Sequence, residues 1–299
     1  MKTNDSIIRQ SRMINIFDSM DITESTKQDY LARLPRLIKF IERHGVDRDL
    51  LLSYKQSLRD DVTLGVSAKN KYLTTARIVL RELYRQGKFA FDLSVGVKSF
   101  QQTSKHKVIG LNKQEVEKIC QHLQTLDDTF KNTRLRVIVA LLLFQGLRQI
   151  EICRLDVGDI DLANKRIYIV GKGQSDREPI HIHPETSKML TKYLKSSQVK
   201  YGPLLTHLNR QRSGYRLSTR GLRKIFQALL EHLDINRTTH GTRHFYTTEL
   251  IRYFKSDLTA VAKFTRHSNL EMLNVYNDEI LDKRSADELG KVFKYKFTE

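Results

Sequence analysis

Apolar side chains recur every three or four residues along most of this chain, and that spacing limits it to a mainly helical fold. The clearest example runs from Ser67 to Gln86 and stops at Gly87. One region departs from the pattern, because Ile167–Val170 and Glu178–Ile182 are short apolar or alternating segments joined by a polar turn. The sequence therefore predicts a mainly α protein with one small β-hairpin.

The helical pattern falls into two halves, and a chain of 299 residues is long enough for two domains with separate cores. The predicted organisation is an N-terminal domain over 1–100, a polar linker over 101–110 and a C-terminal domain over 111–299. In the first half, Ser25 and Gln28 predict a capping box at the start of a helix. Pro35 is expected to kink or divide that helix.

The net charge of +18, from 52 Lys and Arg against 34 Asp and Glu, favours a polyanionic partner. Nucleic acid and an anionic membrane surface both fit this charge. The longest uninterrupted apolar run, Val137–Phe144, is far shorter than the roughly 20 residues of a membrane-spanning helix, so it predicts a buried helix. The polar N-terminus and the two cysteines predict a cytoplasmic protein without a disulfide.

Basic side chains are frequent on the helices predicted for the N-terminal half. On one helix such a face is equally well explained by contact with solvent. Several basic helices in the same half favour DNA as the partner. The residues expected to contact DNA are Arg33, Arg36, Lys39, Lys69, Lys71, Arg77 and Arg81.

The C-terminal half carries basic residues and a tyrosine that together suit an attack on a phosphodiester. A tyrosine phenol has a pKa of roughly 10, so as a nucleophile it needs an activated phosphate. Two guanidinium groups can bind the non-bridging oxygens, and a lysine can protonate the leaving oxygen. Because positive side chains supply the charge, no metal is expected. The set consists of Arg148, Lys172, His240, Arg243, His267 and Tyr276.

These residues stand in motifs that resemble those of the tyrosine recombinases, the integrase family that includes the Xer, Cre and phage lambda enzymes. The likeness covers nearly the whole chain, since a basic helical half precedes the half that bears the motifs. It implies a core-binding, SAM-like N-terminal domain and a catalytic C-terminal domain. The motifs are Gly146-Leu147-Arg148, Gly171-Lys172-Gly173, His240-Gly241-Thr242-Arg243-His244, and His267 followed by Tyr276.

The resemblance implies site-specific DNA recombination for integration, excision or resolution. Tyr276 would be the nucleophile that forms a 3′-phosphotyrosyl link, Lys172 would be the general acid, and Glu151 would support the site. The remaining four residues of the set would bind phosphate. The implied partners are double-stranded DNA with a specific site and further copies of the chain, forming a tetramer that passes through a Holliday junction. No cofactor is implied.

One position departs from the family pattern. The family usually has glycine immediately before the histidine that corresponds to His267, whereas this chain has Arg266. If the backbone needs a positive φ there, arginine is strained. If it does not, Arg266 can add a phosphate contact.

Several alternatives remain open at this stage. A type IB topoisomerase would use the same chemistry without a specific site, and an accessory protein would only bind DNA. The pairs His240 with His244 and His181 with His183 could suggest a metal site, but no acidic or cysteine partner completes one. Beyond the nucleophile, an apolar stripe in Ser285–Phe297 predicts a helix that docks on a neighbouring copy or folds back on its own domain.

Overall fold

The computed structural model describes residues 15–102, 110–171, 176–208, 214–267, 269–274 and 276. The chain forms two compact units, Met1–Ser104 and Lys105–Glu299. The predicted tail helix over Ser285–Phe297 lies outside the described residues. Within the described ranges, every helix is too short or too polar to cross a membrane.

The described part of the first unit is helical, as the sequence predicted. Its α-helices are α1 (Glu24–Leu31), α2 (Leu34–His44), α3 (Leu50–Asp60) and α4 (Val66–Arg85). Their apolar stripes meet in one core, where Leu37, Tyr54 and Leu80 are buried. The long helix α4 supplies much of this core, because its apolar residues recur at the helical period.

The helix boundaries of the first unit confirm one local prediction and correct another. Pro35 lies in the first turn of α2 and separates it from α1, as expected. The predicted capping box of Ser25 and Gln28 is wrong, since Thr23 is the N-cap of α1 and accepts a hydrogen bond from the amide of Thr26 at 3.4 Å. Thr23 has the extended backbone that a cap requires, whereas Ser25 already lies inside the helix.

In the second unit, several helices pack around one buried helix. These helices are α5 (Lys113–Thr125), α6 (Phe130–Leu143), α7 (Gln149–Arg154), α8 (Pro184–Ser197), α9 (Thr219–His232), α10 (Thr239–Tyr253) and α11 (Leu258–Thr265), and residues 271–274 and 276 are also helical. Helix α6 carries nearly all of the apolar run that the sequence predicted to be buried, and its last ten residues except Leu135 are buried. It packs against α8, α9 and α10.

A small antiparallel sheet lies within the second unit. Its strands are β1 (Ile160–Asp161), β2 (Arg166–Val170) and β3 (Arg177–His181), in the order β1-β2-β3. Strands β2 and β3 form the predicted hairpin, with Ile167 opposite Ile180. Strand β1 was not predicted, because two residues are too few to show an alternating pattern.

A tight turn follows α6 and leads into α7, and this turn positions the candidate site. Gly146 adopts a φ of +57°, and the amide of Leu147 returns to the carbonyl of Leu141 at 3.1 Å. Arg148 follows as the N-cap of α7. Arg243 of α10 donates to the carbonyl of Gly146 in this turn and to that of Thr265 in α11, so the turn lies close to the end of α11.

Candidate active site

Arg148 is held at the start of α7 by Glu151, one helical turn further on. The Glu151 carboxylate accepts hydrogen bonds from the backbone amide of Arg148 at 2.8 Å and from its Nη1 at 2.8 Å. The Glu151 side chain is 0% exposed, whereas that of Arg148 is 34% exposed. The carboxylate therefore orients Arg148 while leaving part of its guanidinium open to a ligand.

Arg243 lies on α10 and is 5% exposed. Its Nη1 donates to the carbonyl of Gly146 at 2.5 Å, and its Nη2 donates to the carbonyl of Thr265 at 2.5 Å. Burial lowers the pKa of this guanidinium to about 10, helped by the charge of Arg148. Arg243 is therefore charged at neutral pH, and it joins α10 both to the turn before α7 and to the end of α11.

His267 follows α11 and is oriented by Thr265. Its Nδ1 lies 2.7 Å from the Thr265 hydroxyl, which itself donates to the carbonyl of Val261 at 3.0 Å. When the hydroxyl gives its one hydrogen to Val261, Nδ1 of His267 carries the proton of the shared bond and Nε2 of the neutral ring has no hydrogen. Burial, followed by the charges of Arg243 and Arg148, lowers the pKa of His267 to about 4. In that tautomer, His267 must take up a proton before Nε2 can donate to a phosphate.

Tyr276 is packed inside the second unit and is 4% exposed. Its ring lies 4.8 Å from that of His244, measured between centroids, and it shares an apolar cluster with Val261 and Leu273. Burial raises the pKa of the phenol, while the charges of Arg243 and Arg148 act in the opposite direction. The phenol is thus within electrostatic reach of both arginines.

Two further predicted residues are placed less directly. His240 is exposed in the first turn of α10, next to Thr239, whose hydroxyl accepts a hydrogen bond from the Gln149 side chain beside Arg148. Lys172 lies outside the described residues. Its neighbour Gly171 follows β2 and accepts a hydrogen bond from Arg154 at 3.3 Å. The described end of β2 therefore lies near the end of α7.

Arg266 has the backbone conformation that favours glycine and a side chain that points inward. It is the C-cap of α11 with φ 56° and ψ 43°, a left-handed conformation that costs a non-glycine residue roughly 1–2 kcal/mol. Its side chain is 7% exposed, and Nη2 donates to Glu151 at 2.8 Å. Of the two readings of this position, the positive φ is correct. The described partner of the guanidinium is Glu151.

Glu151 is therefore shared between two arginines from distant parts of the sequence. Burial alone would raise its pKa, but the charge of Arg266 and the hydrogen bonds and charge of Arg148 hold that pKa below its ordinary value. The carboxylate stays ionised. The described residues contain no group of three or more histidine, cysteine or acidic side chains placed to hold a metal ion.

The model of the phage integrase family matches residues 110–281, which include every residue of this site. The chain belongs to the phage integrase family. It is a tyrosine recombinase, as its motifs predicted. A tyrosine recombinase of Synechocystis sp. is 26% identical over 213 residues, covering 70% of this chain and 67% of that protein. The XerC recombinase of Actinobacillus pleuropneumoniae is 29% identical over 219 residues, covering 71% and 68%.

Solved structures of other recombinases share the fold of this tyrosine recombinase. XerH bound to a palindromic difH substrate, in a post-cleavage complex, aligns with a TM-score of 0.74 and 19% identity over 90% of this chain and 80% of that one. Lambda integrase bound to a COC′ core site aligns with a TM-score of 0.65 and 14% identity over 89% and 92%. The mainly helical fold with a small sheet is thus common to these proteins.

The basic residues predicted to contact DNA occupy different environments in the first unit of the recombinase. Lys39, Lys71 and Arg81 are exposed. Arg77 is half-buried and donates to the carbonyl of Val97 at 2.5 Å. The others have protein partners at the surface: Arg33 pairs with Asp29, Arg36 with Asp61, and Lys69 with the carbonyl of Arg59. DNA contact stays a prediction for all seven.

Three contributors to the site were missed or only partly foreseen from the sequence. Thr265 orients His267 and accepts from Arg243, and His244 packs against Tyr276. The acidic partner of Arg266 was also not foreseen. His244 comes four residues after His240, a spacing that places both on one face of a helix, but nothing in the sequence indicates which distant segments meet that face.

Proposed function

We propose that this recombinase cuts and rejoins DNA strands at a specific site, with Tyr276 as the nucleophile. The observation that supports this most strongly is electrostatic, since the charges of Arg148 and Arg243 both act on the phenol of Tyr276 and on His267. Preorganised positive groups of this kind stabilise the charge that develops on a phosphate under attack. These residues come from α7, α10 and the segment after α11, so the site is formed by folding.

In the proposed step, the Tyr276 oxygen attacks phosphorus and the bond from phosphorus to the 5′ oxygen breaks. The phenol releases its proton to solvent, and Lys172, the proposed general acid, protonates the leaving oxygen. The products are a 3′-phosphotyrosyl link and a free 5′-hydroxyl. Because the link keeps the phosphodiester energy, a 5′-hydroxyl of another strand can attack it and release the tyrosine without ATP.

We further propose that four copies act on two paired DNA sites through a Holliday junction. A lambda integrase of similar fold, with a TM-score of 0.63 and 14% identity, was solved as a tetramer bound to a Holliday junction. The net charge of +18 supports a DNA partner for this chain. The proposed activity takes place in the cytoplasm, at the nucleoid, where the DNA is.

Recovery and sequencing of DNA that is covalently attached to the protein tests this proposal. Cells that express the recombinase are lysed in detergent, and we expect adducts at one DNA sequence in the presence of EDTA. Tyr276→Phe should give none, because only the nucleophilic oxygen is lost while the ring still packs on His244. The matched control is Tyr253→Phe, at a tyrosine of α10 that is 78% exposed, and it should give normal adducts.

Two results would contradict the proposal. Adducts that persist in Tyr276→Phe would exclude this residue as the nucleophile. Adducts spread over DNA without sequence preference, together with relaxation of supercoils and no exchange between molecules, would favour a type IB topoisomerase instead.

A further inference from the structure

The ion pair between Arg266 and Glu151 joins the end of α11 to the start of α7. Glu151 Oε1 accepts from Nη1 of Arg148, while Oε2 accepts from the Arg148 backbone amide and from Nη2 of Arg266, all at 2.8 Å. The Glu151 side chain is 0% exposed and that of Arg266 is 7% exposed. Both of these charges are therefore removed from solvent. In that buried environment, each charge is stabilised mainly by its partners, and loss of one would leave the other poorly compensated.

Arg266 differs from the other positively charged residues with a left-handed backbone. Lys165 and Lys255 also have positive φ values, 52° and 50°, but both are exposed. Glycine would adopt this conformation at position 266 without steric cost. What arginine adds there is the buried bond to Glu151.

Binding of a phosphate changes the balance of charge at Glu151. An anion at the proposed site attracts Arg148, whose guanidinium is the partly exposed one, and so competes with Glu151 for its N–H groups. If Arg148 were the only cation beside Glu151, its turn towards the phosphate would leave the negative charge of the buried carboxylate poorly balanced. Arg266 remains paired with it, so Glu151 can stay ionised and keep its bond to the Arg148 backbone.

We propose that Arg266 is a positioning residue for DNA cleavage: as a second, permanent counter-ion of Glu151, it keeps the start of α7 fixed while the Arg148 guanidinium turns to the scissile phosphate. The proposal rests on the proposed function, since it concerns the same site. It differs from the phosphate contact that the sequence offered as one reading of this position, because the arginine acts through Glu151 and not by touching DNA.

The test measures single-turnover formation of the Tyr276 adduct on a nicked DNA substrate made from the recovered site. We expect Arg266→Gly to slow cleavage about tenfold with DNA affinity unchanged within about twofold, because residues that orient a functional group typically contribute 10- to 100-fold, as seen around metal ligands. Arg266→Lys keeps the charge and should restore most of the rate. The matched control is Lys255→Gly, which also replaces a cation with glycine at a positive φ and should cleave normally.

Two further readouts separate positioning from a structural or DNA-contacting role. In a Glu151→Gln background, Arg266→Gly should slow cleavage less than about twofold, because the charge it compensates is gone. With Glu151 intact, Arg266→Gly should lose activity as the pH falls from 7 to about 5.5, since loss of Arg266 raises the pKa of Glu151 and its protonation releases Arg148. The parent protein should show no such loss over this range.

The outcomes distinguish this inference from the proposed function. A parent protein that forms no adduct at Tyr276 refutes the proposed function itself. A parent that cleaves, with Arg266→Gly equally fast, refutes only the role of Arg266. An equal loss in both Glu151 backgrounds, with weaker DNA binding, would show that Arg266 contacts DNA directly. If Arg266→Gly does not fold, Arg266→Gln makes the same comparison, with the same slowing expected.

Discussion

Replacing Gly146 by alanine should destabilise the second unit through two separate effects at the turn before α7. The first is the backbone, because a φ of +57° costs alanine roughly 1–2 kcal/mol. The second is space, because the added Cβ would lie 2.2 Å from Cδ1 of the Tyr246 ring, which itself is packed in the protein. Forcing extra atoms into a packed region typically costs about 1–3 kcal/mol.

Two other glycines of the same unit separate these effects. Gly202 has a φ of +80° but an added Cβ would meet nothing within 4 Å, so Gly202→Ala reports the backbone cost alone. Gly158 has neither constraint, and Gly158→Ala should change stability by less than about 0.5 kcal/mol. At about 2–4 °C per kcal/mol for a unit of this size, we expect Gly146→Ala to lower the melting temperature by roughly 10 °C.

Scanning calorimetry of the full chain measures all three variants under the same conditions. Gly146→Ala should melt below Gly202→Ala, and Gly202→Ala below Gly158→Ala. Because the Gly146 carbonyl accepts a bond from Arg243, Gly146→Ala should also reduce adduct formation more than Gly202→Ala does. If Gly146→Ala and Gly202→Ala have the same melting temperature, the contact with Tyr246 adds no destabilisation and the reasoning fails.

Three further predictions concern the charged groups of the site. Arg243→Lys should destabilise the second unit by about 1–3 kcal/mol in urea unfolding, because the compact ammonium lacks the planar fork whose two separate nitrogens donate to the carbonyls of Gly146 and Thr265. Unchanged stability would contradict this. DNA binding should take up a proton at His267, whose pKa of about 4 in the free protein rises when a phosphate offsets the arginines. The DNA-bound state then holds more protons, so affinity should increase as the pH falls from about 6.5 towards 4, and His267→Gln should abolish that increase in a binding titration. The same depressed pKa favours the folded state above about pH 6.5, and this contribution to stability is lost as the pH falls towards 4.

Patterns within one element were predictable from the sequence, whereas contacts between distant elements were not. The hairpin of β2 and β3 follows from local alternation, and the division at Pro35 follows from the chemistry of proline. The cap at Thr23 was missed because several residues near it can cap a helix and only the backbone path selects one.

The residues of the candidate site could be found by motif, but their partners could not. Arg266 was recognised as a departure, yet both its left-handed backbone and its bond to Glu151 depend on where α11 ends relative to α7. Arg77 lies on the polar face of α4, and its partial burial results from a segment about 20 residues later that folds back over it. Helical periodicity contains no information about such returns of the chain.

The two carbonyl bonds of Arg243 limit which parts of the site can move independently. Thr265 is attached through this guanidinium to Gly146, so the end of α11 and the turn that carries Arg148 share one anchor. Any displacement of Tyr276 relative to Arg148 that leaves these bonds intact must take place in the chain after Thr265. If Tyr276 is the nucleophile, we therefore expect its reach to a bound strand to depend on the chain between Thr265 and Tyr276.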